Sequence, residues 1–142
     1  MSKAVTFLLA LVLLATLGAA PATAGKKKKG SFSAQNPVPA LEACPQEAQE
    51  GLTKTSEPLK VPFNGVLTVK MTDFLGDWDL YVTDSDGDEI VSSVESQLTG
   101  SAPVEEVTIF LPKGMSVQMV ACNYAGGPSA EVAWVLSAVP FK

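Results

Sequence analysis

The stretch Gly76-Asp77-Trp78-Asp79-Leu80-Tyr81-Val82-Thr83-Asp84-Ser85-Asp86-Gly87-Asp88 constrains the fold more than any other part of the chain. Trp78, Leu80 and Val82 alternate with Asp77, Asp79, Tyr81 and Thr83, so a period of two separates an apolar face from a polar one. A helix would scatter these residues around its axis; a strand sorts them. The run then enters Asp84-Ser85-Asp86-Gly87-Asp88, residue types that favour turns and tolerate left-handed backbone. A strand with one apolar face needs partner strands and a second layer to cover that face.

The rest of the chain supplies them. Leu59-Lys60-Val61-Pro62-Phe63 reads as an edge-like segment, because Pro62 cannot donate to a central ladder. Asn64-Gly65 follows, a two-residue hairpin signal, and Val66 to Met71 reads as the returning strand. Leu67, Val69 and Met71 are its expected core face. Residues 89–94 are expected to pair back onto the central strand, and residues 95–103 form a polar loop. Further alternating segments occupy residues 105–111, 116–124 and 130–139, separated by Pro112-Lys113-Gly114 and Gly126-Gly127-Pro128. Six or seven short strands at this spacing predict an all-β protein, a small antiparallel sandwich or barrel.

The N-terminal residues belong to targeting. Lys3 gives a basic start, residues 4–18 are an apolar run, and Ala22-Thr23-Ala24 offers small residues for cleavage, so residues 1–24 read as a signal peptide. The run falls short of the about 20 apolar residues a membrane-spanning helix needs. Residues 25–50 then read as a flexible leader, disordered and rich in lysine and proline, ahead of a domain over residues 51–142. The expected compartment is extracellular. All fifteen acidic residues lie beyond Gly30, with five lysines to offset them. Such a body repels phosphate backbones, which argues against nucleic acid, and suits divalent cations or basic partners.

Two cysteines in an exported chain suggest a disulfide between Cys44 and Cys122, the alternative being two buried free thiols. A bridge would pin the leader to the body.

Three blocks give the domain a likeness to a known family. Val61-Pro62-Phe63-Asn64-Gly65-Val66-Leu67-Thr68-Val69 resembles the opening hairpin of the bacterial pre-peptidase C-terminal domains. Asp77-Trp78-Asp79-Leu80-Tyr81-Val82 resembles their most recognisable strand, and the segments from Val107 to the Trp134 strand resemble their closing hairpin. The resemblance spans residues 53–139. It implies a jelly-roll-like β-sandwich without catalytic activity, appended to exported peptidases; some relatives bind calcium, and others bind collagen or other extracellular polymers. No peptidase domain precedes the module here, which turns the reading towards a free-standing binding or accessory role.

Residue inventory narrows the chemistry further. The chain has no histidine, so the Ser-His and Cys-His nucleophile systems are absent and an enzyme is not expected. Calcium is the candidate cofactor, since clustered aspartates can supply several of the six to eight oxygens it needs. The candidate ligands are Asp84, Asp86 and Asp88, with Asp77 and Asp79 reaching from the strand. The spacing does not fit an EF-hand loop: if Asp84 is its first position, Glu89 falls where glycine is required. The competing reading is an ordinary hydrated turn. For Asp79 it is a buried carboxylate paired with N–H groups of the next loop. Trp78, Tyr81, Tyr124 and Trp134 could form an aromatic platform for sugars or peptides, with Trp78 and Tyr124 the candidate contacts to a ligand; the competing reading is ordinary core packing.

The sequence therefore predicts a secreted binding module for an extracellular polymer or protein. The alternative is a structural or inhibitory partner of a separately encoded exported peptidase.

Overall fold

A computed structural model describes residues 25–41, 44–94 and 103–139. The signal peptide over residues 1–24 and most of the polar loop expected at 95–103 lie outside the described residues. Eight strands follow in order: β1 (Lys27–Gln35), β2 (Lys54–Lys60), β3 (Gly65–Thr72), β4 (Gly76–Asp84), β5 (Glu89–Ser93), β6 (Glu105–Leu111), β7 (Ser116–Gly126) and β8 (Ser129–Ala138). They form two four-stranded sheets, β1-β8-β3-β6 and β2-β7-β4-β5, with every pair antiparallel. Of the connections between successive strands, that from β4 to β5 alone stays within one sheet; all the others cross between layers. This strand order is that of a jelly roll. No helix among the described residues is long and apolar enough to cross a membrane.

The expected core face of β3 is the observed one. Leu67, Val69 and Met71 are fully buried, while Val66, Thr68 and Lys70 point outward. Trp78, Leu80 and Val82 of β4 and Val117, Met119 and Ala121 of β7 face the same interior from the other sheet.

Two expected hairpins are crossovers instead. β2 pairs with β7 in one sheet, whereas β3 lies between β8 and β6 in the other. Gly65 is not among the positive-φ glycines, so Asn64-Gly65 does not form the tight turn its composition suggests. Asn64 is used elsewhere: its Oδ1 accepts the Lys113 N–H at 2.6 Å, and its carbonyl accepts that of Val139 at 3.1 Å. Likewise β7 and β8 lie in opposite sheets. The Gly126-Gly127-Pro128 bend is held over the start of β4, with the Gly127 N–H donating to Leu75 O at 2.7 Å.

Residues 25–50 are not a free tether either, which corrects the disorder expected there. The lysine run continues into the edge strand β1, paired along its whole length with β8. Gly30, Phe32 and Ala34 lie on the inward side, Ala34 completely buried, while Lys28 stays exposed. Exposed lysines on an edge strand discourage pairing with a second chain. Gly30 provides the space for the Trp134 indole, since a Cβ there would lie 2.6 Å from its ring. Lys28 Nζ sits 5.9 Å from the same ring centroid. Replacing Gly30 by alanine should therefore cost about 1–3 kcal/mol through overpacking. Thermal melting of the variant checks this; an unchanged midpoint would mean that β1 is not docked.

Beyond β1 the chain folds over the outer face of the second sheet. Buried Asn36 donates from Nδ2 to Ala121 O at 3.0 Å and accepts at Oδ1 from the Thr55 hydroxyl at 2.8 Å. Asn123 Nδ2 donates in turn to Asn36 O at 2.7 Å. The disulfide expected between Cys44 and Cys122 is present, with a Cα–Cα distance of 6.1 Å. Ala48, Tyr81, Val120 and Cys122 make a second, smaller apolar cluster beneath this segment. The middle of β4 is consequently buried on both faces, from Trp78 to Thr83.

Candidate functional site

On the outer face of β4, Asp77, Asp79, Tyr81 and Thr83 project at every second residue, as strand geometry requires. The leader covers the Thr83 side and leaves the Asp77 end open. There a cavity of about 330 Å³ is lined by Asp77, Asp79, Tyr81, Val94 and Tyr124. A register shift between Asp77 and Trp78 lies beside it. Asp77 opposes Ala125 and Trp78 opposes Asn123, so Tyr124 is the extra residue on β7. Bulges of this kind commonly redirect a side chain at a site.

Asp79 is the unusual member of the set. It is only 7% exposed. Its Oδ2 accepts a hydrogen bond from the Tyr81 hydroxyl at 2.9 Å, not the backbone N–H bonds expected from the next loop. Burial holds its pKa above the ordinary carboxylate value, an effect that the Tyr81 hydrogen bond opposes and the neighbouring Asp77 charge reinforces. Tyr81 is also shifted upward, first by burial and then by the charge and hydrogen bond of Asp79, with smaller contributions from Glu89 and Asp77. The phenol therefore remains a donor at any ordinary pH.

A carboxylate whose folded-state pKa is raised binds its proton more tightly folded than unfolded. Stability then falls as pH rises from the unfolded value of 3.8 through the folded one. The cost is absent well below 3.8, grows as pH rises past that value, and is complete only above the folded-state pKa. Asp79→Asn keeps an acceptor for Tyr81 and removes the charge. It should be more stable than the parent at pH 7, and the gain should vanish towards pH 3.5 (about the ordinary carboxylate range). Melting curves across that range decide; a variant less stable at pH 7 would refute the assignment.

The five candidate metal ligands separate into two groups. Asp77 and Asp79 lie at one end of β4, and Asp84, Asp86 and Asp88 at the other. The five residue steps of strand from Asp79 to Asp84 span about 17 Å. At the far end, Asp84 Oδ1 accepts the N–H groups of Asp86 at 2.8 Å and Asp88 at 3.0 Å. That carboxylate serves the turn itself. Asp86 and Asp88 border a cleft of about 250 Å³ with Pro45, Lys54 and Gln118, where Lys54 Nζ donates to Pro45 O at 3.0 Å. Among the described residues no group of three or more His, Cys, Asp or Glu side chains is placed to hold a metal ion, and the five aspartates named as calcium ligands do not come together at one point. Millimolar calcium is expected to leave the melting temperature unchanged; a rise would restore the acidic turn as a ligand.

The two aromatic candidates also part. Trp78 is completely buried, 6.5 Å from the Phe74 ring, and donates from Nε1 to Gly127 O at 3.1 Å. It is a core residue with no exposed surface. Tyr124 is half-buried and lines the cavity. Tyr81, one of the four aromatics the sequence offers, also lines the cavity and shares the parity of Asp77 and Asp79, whereas Val94 is a member the sequence reading left out.

No family model and no curated protein sequence matches the chain. Among solved structures, the chain is similar to PliG of Aeromonas hydrophila, a periplasmic inhibitor of g-type lysozyme. The two are 13% identical over 83% of this chain and 89% of that one, with a TM-score of 0.41. It is also similar to a cycloisomaltooligosaccharide glucanotransferase of Paenibacillus sp., at 13% identity and a TM-score of 0.39, over 79% of this chain and 18% of that one. An isomalto-dextranase of Arthrobacter globiformis T6 shares 11% identity and a TM-score of 0.37, over 80% of this chain and 22% of that one. Likenesses of this degree transfer neither a site residue nor an activity.

Proposed function

We propose that this protein is an exported, non-catalytic binding module that attaches to an extracellular polymer or protein through the outer face of its second sheet. The observation that carries this reading is the cavity itself, where a bulge turns Tyr124 towards a buried carboxylate. Rings beside hydrogen-bonding groups are a common composition for recognition. Two features support binding over catalysis: the chain has no histidine, and the carboxylate that lines the cavity, Asp79, is held by a tyrosine hydroxyl. The jelly-roll order is what the likeness to pre-peptidase C-terminal domains implies for the fold.

The test mixes the pure protein with insoluble polymers (chitin, cellulose, peptidoglycan and collagen) and, separately, with immobilised exported peptidases. Retention by one of these, reduced at least tenfold by Tyr124→Ala, is expected. Retention that Tyr124→Ala leaves intact would overturn the assignment of the face. Turnover of peptidase or glycosidase substrates would overturn the non-catalytic reading.

A further inference from the structure

The cavity at the Asp77 end of β4 is acidic and lacks a cation. None of its five lining residues is basic, and the charges acting on Asp79 and Tyr81 are those of Asp77, Asp79 and Glu89. Asp79 is 93% removed from solvent, since only 7% remains exposed. Its Oδ2 takes the Tyr81 hydroxyl, while its Oδ1 receives no hydrogen bond from the described residues. That oxygen is not among the buried atoms left without a partner, so it meets solvent in the cavity, where a cation would sit between two carboxylates and favour the charged form of both.

A separate observation concerns the rim. The three most exposed large apolar residues among those described are Leu75 at 74%, Leu41 at 60% and Val94 at 55%. They come from three distant segments, and each is tied to the part of the second sheet where β4 begins and β7 ends. Val94 lines the cavity. Leu41 donates its backbone N–H to Tyr124 O at 3.0 Å. Leu75 is two residues ahead of Asp77, and its carbonyl accepts from Gly127 beside the β7 bulge. Single exposed leucines need no explanation, but a cluster marks an interaction surface.

We propose that this end of the second sheet docks a protein partner that inserts a basic side chain, lysine or arginine, between Asp79 and Asp77 while its apolar surface covers Leu41, Leu75 and Val94. The inference rests on the binding reading above and adds the chemistry of the occupant. A buried ion pair within an apolar surround that excludes water is the usual anatomy of a strong interface residue. The acid excess beyond Gly30 would speed encounter with a basic partner and make it salt-dependent. An amino-sugar polymer carries the same ammonium but would ask for a row of polar subsites. At the far end of the face, the Asp84 carboxylate is already occupied by the amides of Asp86 and Asp88.

The test is a residue-resolved NMR titration of the isotope-labelled protein with a capped leucine-rich peptide carrying one lysine. The same peptide with its lysine acetylated and a chitosan oligomer serve as the other arms. Saturable shifts at Asp77, Asp79, Val94 and Tyr124 are expected with the lysine peptide. They should weaken at least tenfold on acetylation, in Asp79→Asn and in Asp77→Asn, and should weaken with added salt. Equal response to the acetylated peptide, or none at these residues up to millimolar peptide, overturns the proposal. Saturation at these residues by chitosan alone would overturn it and leave the binding module standing. If Tyr124→Ala also changes no retention in the polymer and peptidase assay, both readings fall.

Discussion

Replacing Cys44 and Cys122 together by alanine is expected to destabilise the fold by about 4 kcal/mol. The bridge closes a loop with a sequence separation of 78; chain-entropy arithmetic for a loop of that length gives about 4–5 kcal/mol. Against a total of about 5–15 kcal/mol for a domain of this size, the loss is large. It also has a local consequence. Cys122 lies beneath the leader with Ala48, Tyr81 and Val120, so a released leader would expose the outer face of β4 and β7. Asp79 would then be better hydrated, and its pKa should drift down towards the ordinary value because burial is the main cause of its shift. Urea denaturation of oxidised, reduced and double-alanine protein measures the first effect. Carboxyl chemical shifts of Asp79 against pH measure the second. A loss below about 1 kcal/mol (far under the chain-entropy figure) would mean that the buried Asn36 and Asn123 hydrogen bonds alone hold the leader in place.

The layering was legible from the residues because β3 and β4 each have one face that must be dry, and a period of two shows which. What could not be read locally depends on distant chain. Asp79, Tyr81 and Thr83 look like a solvent face, and they are buried because residues 36–41 and 44–53 arrive from upstream, the latter bridged to the sheet at Cys122. In β1 the same period of two is present in Gly30, Phe32 and Ala34, but a lysine run with small residues has the composition of a tether. Asn64-Gly65 is a sound turn signal that does not say which sheet the chain enters next. Within the site, parity alone could have separated the two aromatics: Trp78 shares its face with Leu80 and Val82, and Tyr124 shares its face with Cys122. The rim of Leu41, Leu75 and Val94 is set by tertiary structure and left no trace in the sequence.

Trp78→Ala should bring the protein close to unfolding, and for reasons unrelated to ligand contact. Truncating a buried tryptophan costs about 3–5 kcal/mol in lost transfer and residual cavity. Trp78 is completely buried against Phe74, and its Nε1 ties the β7–β8 crossover through Gly127 O. That carbonyl would keep one partner, the Asn123 Nδ2 at 3.0 Å. Space around the indole is already tight: a Cβ at Gly126 would meet Leu75 O at 2.4 Å and the Trp78 ring at 2.5 Å. The backbone there cannot close over a cavity without moving the bulge that aims Tyr124. Trp78→Phe removes the hydrogen bond but keeps most of the apolar volume, so it should lose less stability and retain whatever partner the Tyr124 face binds. Denaturation midpoints and partner retention, measured on both variants below their melting temperatures, separate the two roles. A well-folded Trp78→Phe protein that no longer binds would place the indole in the binding surface and refute its assignment to the core.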